Sequence, residues 1–426
     1  EIKGIIFRIG ECDGKDVKGD FKSELFLRSS RQVNRLLREL LPIFESYKRT
    51  LILRNWTIGA YPVGDFIWHR RTTARILEGI DSPNFILSMK YGESDFFRYL
   101  PLNKHFFKLK VKKIVELQAR REYEGCGEYP SFIGWDYQNY ARQLDSAANI
   151  VGISVWCQTG GWLPFRRRTY LEASGIWNEL NSYVTLKIFR ERVSVEQAVH
   201  SYCSLFDCTD PKAFLELLRL DDEVIKELLY IKEVAEQKLF FRRVRIPPLL
   251  SVYWNTIFIN ESTRCVLLSL VKSPEESVKT GYEALKKIDT MKQIAMDLNL
   301  PVDDIQFMAD TFEILALARS YYFLPDNDKE QQKIKKAKRS YKKRYPKEYR
   351  PRYRIRSSYK PLVFNIRFIP VLIRLSFRRK RGYRIVDYLF TLHLLGTLYR
   401  LLVYIKPDII PKFARKQAMG IGAIFR

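Results

Sequence analysis

Over residues 1–165 the chain alternates two textures. Short apolar, β-branched runs at 2–9, 50–55, 84–90, 112–118 and 149–156 have the character of buried parallel strands. Between them lie apolar positions at helical spacing. Residues 30–47 place Val33, Leu36, Leu37, Leu40, Leu41 and Phe44 on one face, with Ser30 as the expected N-cap. Residues 136–147 do the same with Tyr137, Tyr140 and Leu144. This strand–helix alternation predicts an α/β unit with a parallel sheet covered by helices.

From about residue 168 to 322 the spacing is helical, over 176–189, 194–206, 210–228, 231–239, 273–298 and 303–322. Pro247 and Pro248 break it. Residues 326–329 have the composition of a linker. Beyond them Tyr341, Tyr345, Tyr349 and Tyr353 recur every four residues among Lys and Arg, and Pro346 and Pro351 exclude one continuous helix. Mixed apolar and basic stretches follow at 361–377 and 384–405. The expected organisation is an α/β unit over 1–167, an all-α domain over 168–325 and a basic, amphipathic helical tail over 326–426.

Charge sharpens this division. The chain of 426 residues has a net charge of +26. Residues 331–426 contain 27 of its 74 Lys and Arg but only 3 of its 48 Asp and Glu, so the tail holds almost all the excess and the rest is near neutral. The 6 Cys form no C-x-x-C pair, and the 4 His are scattered singly, which argues against a disulfide framework or a zinc site. Free thiols suggest a cytoplasmic setting, peripheral to a membrane if the tail binds one. No run of 18 uncharged apolar residues suggests a spanning helix. No G-x-G-x-x-G or G-x-x-x-x-G-K-[ST] supports a nucleotide site. No cofactor is expected.

Candidate chemistry lies where the strands end. Glu11 follows the first run, Arg54 closes the second, Lys90 and Asp95 follow the third, Glu116 and Gln118 close the fourth, and Trp156 closes the fifth. C-terminal strand ends are where parallel α/β folds build active sites. Three carboxylates there, Glu11, Asp95 and Glu116, suit glycosidic bond cleavage, which needs one protonated carboxyl and one carboxylate across the bond. A strand-end acid is otherwise a salt-bridge partner. Trp56, Tyr61, Trp135, Trp156 and Trp162 either pack in the core or stack on sugar rings, and Trp162 sits in an exposed-looking Gly-Gly-Trp loop. Glu122 and Glu124 read as surface partners of Arg120 or Arg121.

Four segments occur in order: Phe7-Arg-Ile-Gly-Glu-Cys-Asp-Gly, Leu51-Ile-Leu-Arg-Asn-Trp, Ile86-Leu-Ser-Met-Lys-Tyr-Gly-Glu-Ser-Asp-Phe and Val115-Glu-Leu-Gln-Ala-Arg-Arg-Glu-Tyr-Glu-Gly. Together with residues 149–162 and 177–198 they resemble the α-glucuronidases of glycoside hydrolase family 67, over about residues 4–200. The resemblance implies a (β/α)8 barrel of which this chain carries strands four to eight, hence a C-terminal fragment that is inactive alone. An open arc of five strands would expose an edge and an apolar inner face. It also implies Glu11 as general acid, although this chain reads Gly-Glu-Cys-Asp-Gly where the family has Asn-Ser-Glu-Gly. Asp95 and Glu116 match the family's candidate bases. Arg54 and Lys90 match groups that bind the uronic carboxylate and nearby hydroxyls. Arg8 stands one position from a family Lys. The family inverts configuration, which calls for carboxyl groups roughly 6.5–9.5 Å apart.

The expected function is therefore O-glycosyl hydrolysis of an acidic oligosaccharide or polysaccharide. The rival is a non-catalytic carbohydrate-binding or membrane-associated protein on a degenerate barrel. For the tail, a solvated appendage, an anionic membrane surface and an acidic polysaccharide all fit. Nucleic acid lacks a recognisable module. The helical domain offers a face for a homodimer.

Overall fold

The five β-branched runs form one parallel sheet. The structure, a computed structural model, describes residues 2–9, 26–27, 29–55, 72–157, 175–206, 208–239, 244–245, 249, 251–348, 351–360, 369–378, 397–398, 400–401 and 404–405. The α/β part contains β1 (Gly4–Arg8), α1 (Ser30–Ser46), β2 (Thr50–Arg54), α2 (Thr72–Ile76), β3 (Phe85–Lys90), α3 (His105–Lys108), β4 (Lys112–Gln118), α4 (Gly134–Leu144) and β5 (Ile150–Trp156). The strand order is β1-β2-β3-β4-β5, and every pairing is parallel. Among the described residues the sheet does not close on itself.

Register gives the two faces opposite chemistry. Leu51, Leu53, Phe85, Leu87, Met89, Val115 and Leu117 pack against Val33, Leu37 and Leu41 of α1 and Tyr137, Tyr140 and Leu144 of α4. The alternate positions carry Arg8, Arg54, Ser88, Lys90, Glu116, Gln118, Ser154 and Trp156, with register partners Arg8↔Arg54↔Ser88, Lys90↔Glu116↔Ser154 and Gln118↔Trp156. On edge strand β1, consecutive Ile5 and Ile6 are both exposed, so this edge is apolar on both faces.

Helix α1 starts one residue earlier than its apolar pattern suggests. Ser29, not Ser30, is the N-cap: its backbone is extended, and it forms a capping box with Gln32. Ser30 is buried as the first helical residue.

The remaining elements are α5 (Ile176–Leu186), α6 (Val195–Cys203), α7 (Pro211–Val224), α8 (Lys232–Ala235), β6 (Lys238–Leu239), β7 (Val244–Arg245), β8 (Val252–Tyr253), β9 (Thr256–Asn260), α9 (Glu261–Leu270), α10 (Pro274–Asp297), α11 (Val302–Phe323), α12 (Asn327–Arg344), β10 (Arg354–Ser358), α13 (Ile369–Ser376) and β11 (Phe377–Arg378). The stretch expected to be all-α thus contains strands. The expected helix over 231–239 is a single turn followed by β6, and α9 arises where no helix was expected. Helices α5 and α7 run on into π-helical turns, Lys187–Glu191 and Ile225–Leu229.

The expected linker at 326–329 is instead a helix start. The Asp326 side chain accepts from Lys329 N at 3.2 Å, and α12 runs to Arg344, just before Pro346. The organisation expected to part at 325/326 is bridged there. Strand β10 pairs in parallel with β9, and Tyr341, Tyr345 and Tyr353 are buried. Tyr345 donates to Asp310 at 2.7 Å, and Tyr353 meets Tyr129, hydroxyl to hydroxyl, at 3.1 Å. These tyrosines pack inward rather than interleaving with the cations on the surface.

Arg319 of α11 anchors this helical layer. Its guanidinium donates to the carbonyls of Glu227, Ser277, Leu228 and Tyr230 at 2.7–3.0 Å, satisfying the end of the π-helical turn that follows α7. Arg319→Met should leave these buried acceptors unpaired and destabilise the fold by about 3 kcal/mol or more. Denaturant unfolding checks this as a lowered midpoint with an unchanged slope.

Candidate functional site at the strand ends

The polar face of the sheet gathers two buried cation–carboxylate pairs on neighbouring strands. In the first, Arg54 Nε lies 3.0 Å from both carboxylate oxygens of Glu116. Ser88 Oγ donates to Glu116 Oε1 at 2.7 Å, and the Arg54 guanidinium lies 4.5 Å from the centre of the Trp156 ring. Four strands therefore contribute to one group: β2 through Arg54, β3 through Ser88, β4 through Glu116 and β5 through Trp156. The register rows on this face bring them together.

In the second pair, Lys90 Nζ donates to Asp95 Oδ1 and lies 4.5 Å from the centre of the Phe96 ring. Tyr123 Oη donates to Asp95 Oδ2 at 2.6 Å, and Phe96 N donates to Asp95 Oδ1 at 2.9 Å. Burial pushes the Asp95 carboxyl up. The Lys90 charge and the hydrogen bonds from Lys90, Tyr123 and Phe96 pull it down further, so its pKa falls below the usual value. Asp95 is thus held ionised near neutral pH, a proton acceptor rather than a donor. Lys90 and Glu116 are register partners on adjacent strands, which sets the two pairs side by side.

Of the residues expected from sequence, Arg54, Glu116, Lys90 and Asp95 meet in this way. Arg8 shares the same face in register with Arg54 but is exposed on the edge strand. Glu11 and Trp162 lie outside the described residues, as do Trp56 and Tyr61. Trp135 stacks edge-on against Phe132 at 5.0 Å and donates to Glu196 at 3.3 Å, away from both pairs. Both cations expected to meet a substrate carboxylate bind the chain's own acids. Ser88 and Tyr123 were not expected. Ser88 was detectable as the alternate position before Lys90, whereas Tyr123 is brought in by a loop.

A third polar cluster stands behind the site and corrects the reading of Glu124 as a surface acid. Glu124 is fully buried. It accepts from Arg98 Nε at 3.2 Å, Arg121 Nη2 at 2.5 Å, Ser131 Oγ at 2.5 Å and Tyr230 Oη at 2.6 Å. Burial raises its carboxyl, but Arg121, Arg98 and the hydrogen bonds outweigh burial and lower it to about 2. Arg98 also donates to Asp222 at 2.6 Å, Asp136 at 3.1 Å and the Phe132 carbonyl at 2.6 Å. The helical region supplies Asp222 and Tyr230 to this cluster. Glu122 is held by Gln118 instead, accepting from Nε2 at 3.3 Å.

Nearby Asp221 behaves oppositely. It accepts from Phe132 N at 2.6 Å, while its Oδ1 has no partner. Burial pushes this carboxyl up to about 8, against the Phe132 hydrogen bond and the Arg98 charge. An open cleft of about 660 Å³ lies between the loop after β3, α4 and α8, lined by Tyr99, Leu100, Asp136, Asn139, Lys226 and Lys232. Neither cation–carboxylate pair lines it. Among the described residues no group of three or more His, Cys, Asp or Glu is placed to hold a metal ion. No helix among them is long and apolar enough to cross a membrane.

No protein-family model and no curated protein matches the chain.

Two outcomes follow from these pairings. Tyr123→Phe removes a hydrogen bond to ionised Asp95 and should move its titration upward, read from the side-chain carboxyl carbon by NMR. For Asp221 the folded carboxyl titrates near 8 and the unfolded one near 3.8. Between these values the folded state keeps a proton that the unfolded state releases, so this group's contribution makes stability fall as pH rises from about 4 to about 8. Asp221→Asn should flatten that slope in denaturant unfolding measured across the same range.

Proposed function

We propose that this protein is an inverting glycoside hydrolase of the α-glucuronidase type, acting on a uronic-acid-bearing glycan. In this reading the five strands are consecutive members of a (β/α)8 barrel, and the polar sheet face is its interior at the catalytic end. The observation that carries the reading is the pair of cation–carboxylate contacts, Arg54–Glu116 and Lys90–Asp95, side by side at strand C-termini. The sequential strand order and the all-parallel register add to it, because a barrel needs both.

The chemistry assigns three roles. Glu11 donates a proton to the glycosidic oxygen as the bond to the anomeric carbon breaks. A water on the opposite ring face attacks that carbon, and its proton passes to an ionised carboxylate, Glu116 or Asp95. Arg54 and Lys90 pair with these carboxylates and present cationic edges to the uronic carboxylate, with Arg8 nearby. Trp162 offers a stacking face. An acidic oligosaccharide or polysaccharide is the partner this reading requires. A second reading, binding without turnover, draws on one specific observation: both cations are already held by internal acids.

Turnover of a uronosyl substrate by the full-length protein tests the proposal. Glu116→Gln and Glu11→Gln should each lower kcat by about 10²–10⁴-fold with little change in KM. Activity unaffected by either substitution would overturn the assignment. Saturable glycan binding with no turnover would favour the second reading.

A further inference from the structure

The tail presents two surfaces whose combination fits one kind of partner. The first is the outward face of α12. Lys329, Lys335, Lys336, Arg339, Lys342 and Lys343 are exposed on it, while Ile334, Tyr341 and Tyr345 are buried. The second is apolar. On α13, Val371 and Leu375 are 47% and 37% exposed, while Ile373 packs against the core. Farther on, Leu398, Leu401, Tyr404 and Ile405 lie in helical backbone and are 46%, 53%, 86% and 64% exposed.

We infer that the exposed cations of α12 and the exposed apolar side chains Leu398, Leu401, Tyr404 and Ile405 dock this protein onto an anionic lipid bilayer, the cations at the headgroups and the apolar side chains in the interface. Each half of the surface excludes other occupants. A second copy would bring a chain of charge +26 against another of +26. Single-stranded nucleic acid needs a series of stacking rings, and Tyr341, Tyr345 and Tyr353 are buried; it could stack on exposed Tyr404 but has no use for Leu398, Leu401 and Ile405. An acidic polysaccharide would use the cations but has no use for Leu398, Leu401 and Ile405. A bilayer rich in anionic lipid uses both, because basic side chains meet its surface charge and aliphatic ones enter the acyl boundary. Tyr404, amphipathic and the most exposed of these four, suits the headgroup level. The inference does not depend on the glycosidase reading.

The test is sedimentation of the full chain with vesicles of phosphatidylcholine alone and of phosphatidylcholine with phosphatidylserine. Wild-type protein should pellet with the mixed vesicles and stay in solution with the neutral ones. Leu401→Asp with Ile405→Asp, and separately Lys335→Glu with Lys336→Glu and Arg339→Glu, should each weaken binding by about tenfold or more. Retention on immobilised heparin should drop for the charge variant and be unchanged for the apolar one. Three results would overturn the inference. One is no pelleting with the mixed vesicles. Another is pelleting that the apolar variant leaves intact, which marks a general polyanion surface. The third is concentration-dependent self-association that the apolar variant abolishes, which marks a second copy as the occupant.

Discussion

The arrangement turns on a buried carboxylate, Glu124, gripped by two arginines. Arg98 comes from the loop after β3, Arg121, Glu124 and Ser131 from the loop after β4, and Tyr230 from beyond α7. One group therefore fastens two strand-end loops to each other and to the helical layer. A buried ion pair is a weak source of net stability, because desolvation offsets attraction. Its value here is in fixing geometry. Glu124 has donors on both oxygens, and removing it would leave Arg98 and Arg121 buried without the carboxylate they share. Asp95 and Tyr123 belong to these same two loops, so the candidate site inherits its geometry from this knot.

The sheet face in front of the knot follows a different rule. Its Arg54–Glu116 pair is set by the strands and their register, not by loops. Arg54 reaches Glu116 across an intervening strand, and Ser88 fills the position between them. Any ligand carboxylate that approaches must share or displace an internal acid. That competition favours a doubly recognised anion over a simple one, since a group meeting only one cation gains little over what the chain already provides. In the proposed glycan-hydrolase reading, the adjacent Lys90–Asp95 pair would give the second point of contact.

Much of this was legible from sequence where the information is local. The five strands appear as β-branched runs with Arg54, Lys90 and Glu116 at their ends, whereas the face these residues share is set by the pairing register. Neighbouring serines defeated the same reasoning at α1, since apolar periodicity does not distinguish Ser29 from Ser30 and the Gln32 side chain does. Glu124 was misread because Arg-Arg-Glu-Tyr-Glu looks like a solvated charge cluster. Its burial depends on Arg98, 26 residues earlier, and Tyr230, 106 residues later. The tail tyrosines failed for a similar reason. Their four-residue spacing is helical, but only the presence of Phe307, Asp310 and Tyr129 opposite makes the inward side theirs.

The parallel partnership of β9 and β10 bears on how the chain is made. Arg354 follows Asn260 by almost a hundred residues, yet the two strands lie side by side. Because a ribosome adds about 5–20 residues per second, the free edge of β9 waits on the order of ten seconds before its neighbour exists. During that interval α9, α10 and α11 can already pack, while one side of β9 stays open to stray pairing. The emerging cations of α12 reach the surface just ahead of β10. That edge is covered only once the chain has passed α12 and reached Arg354.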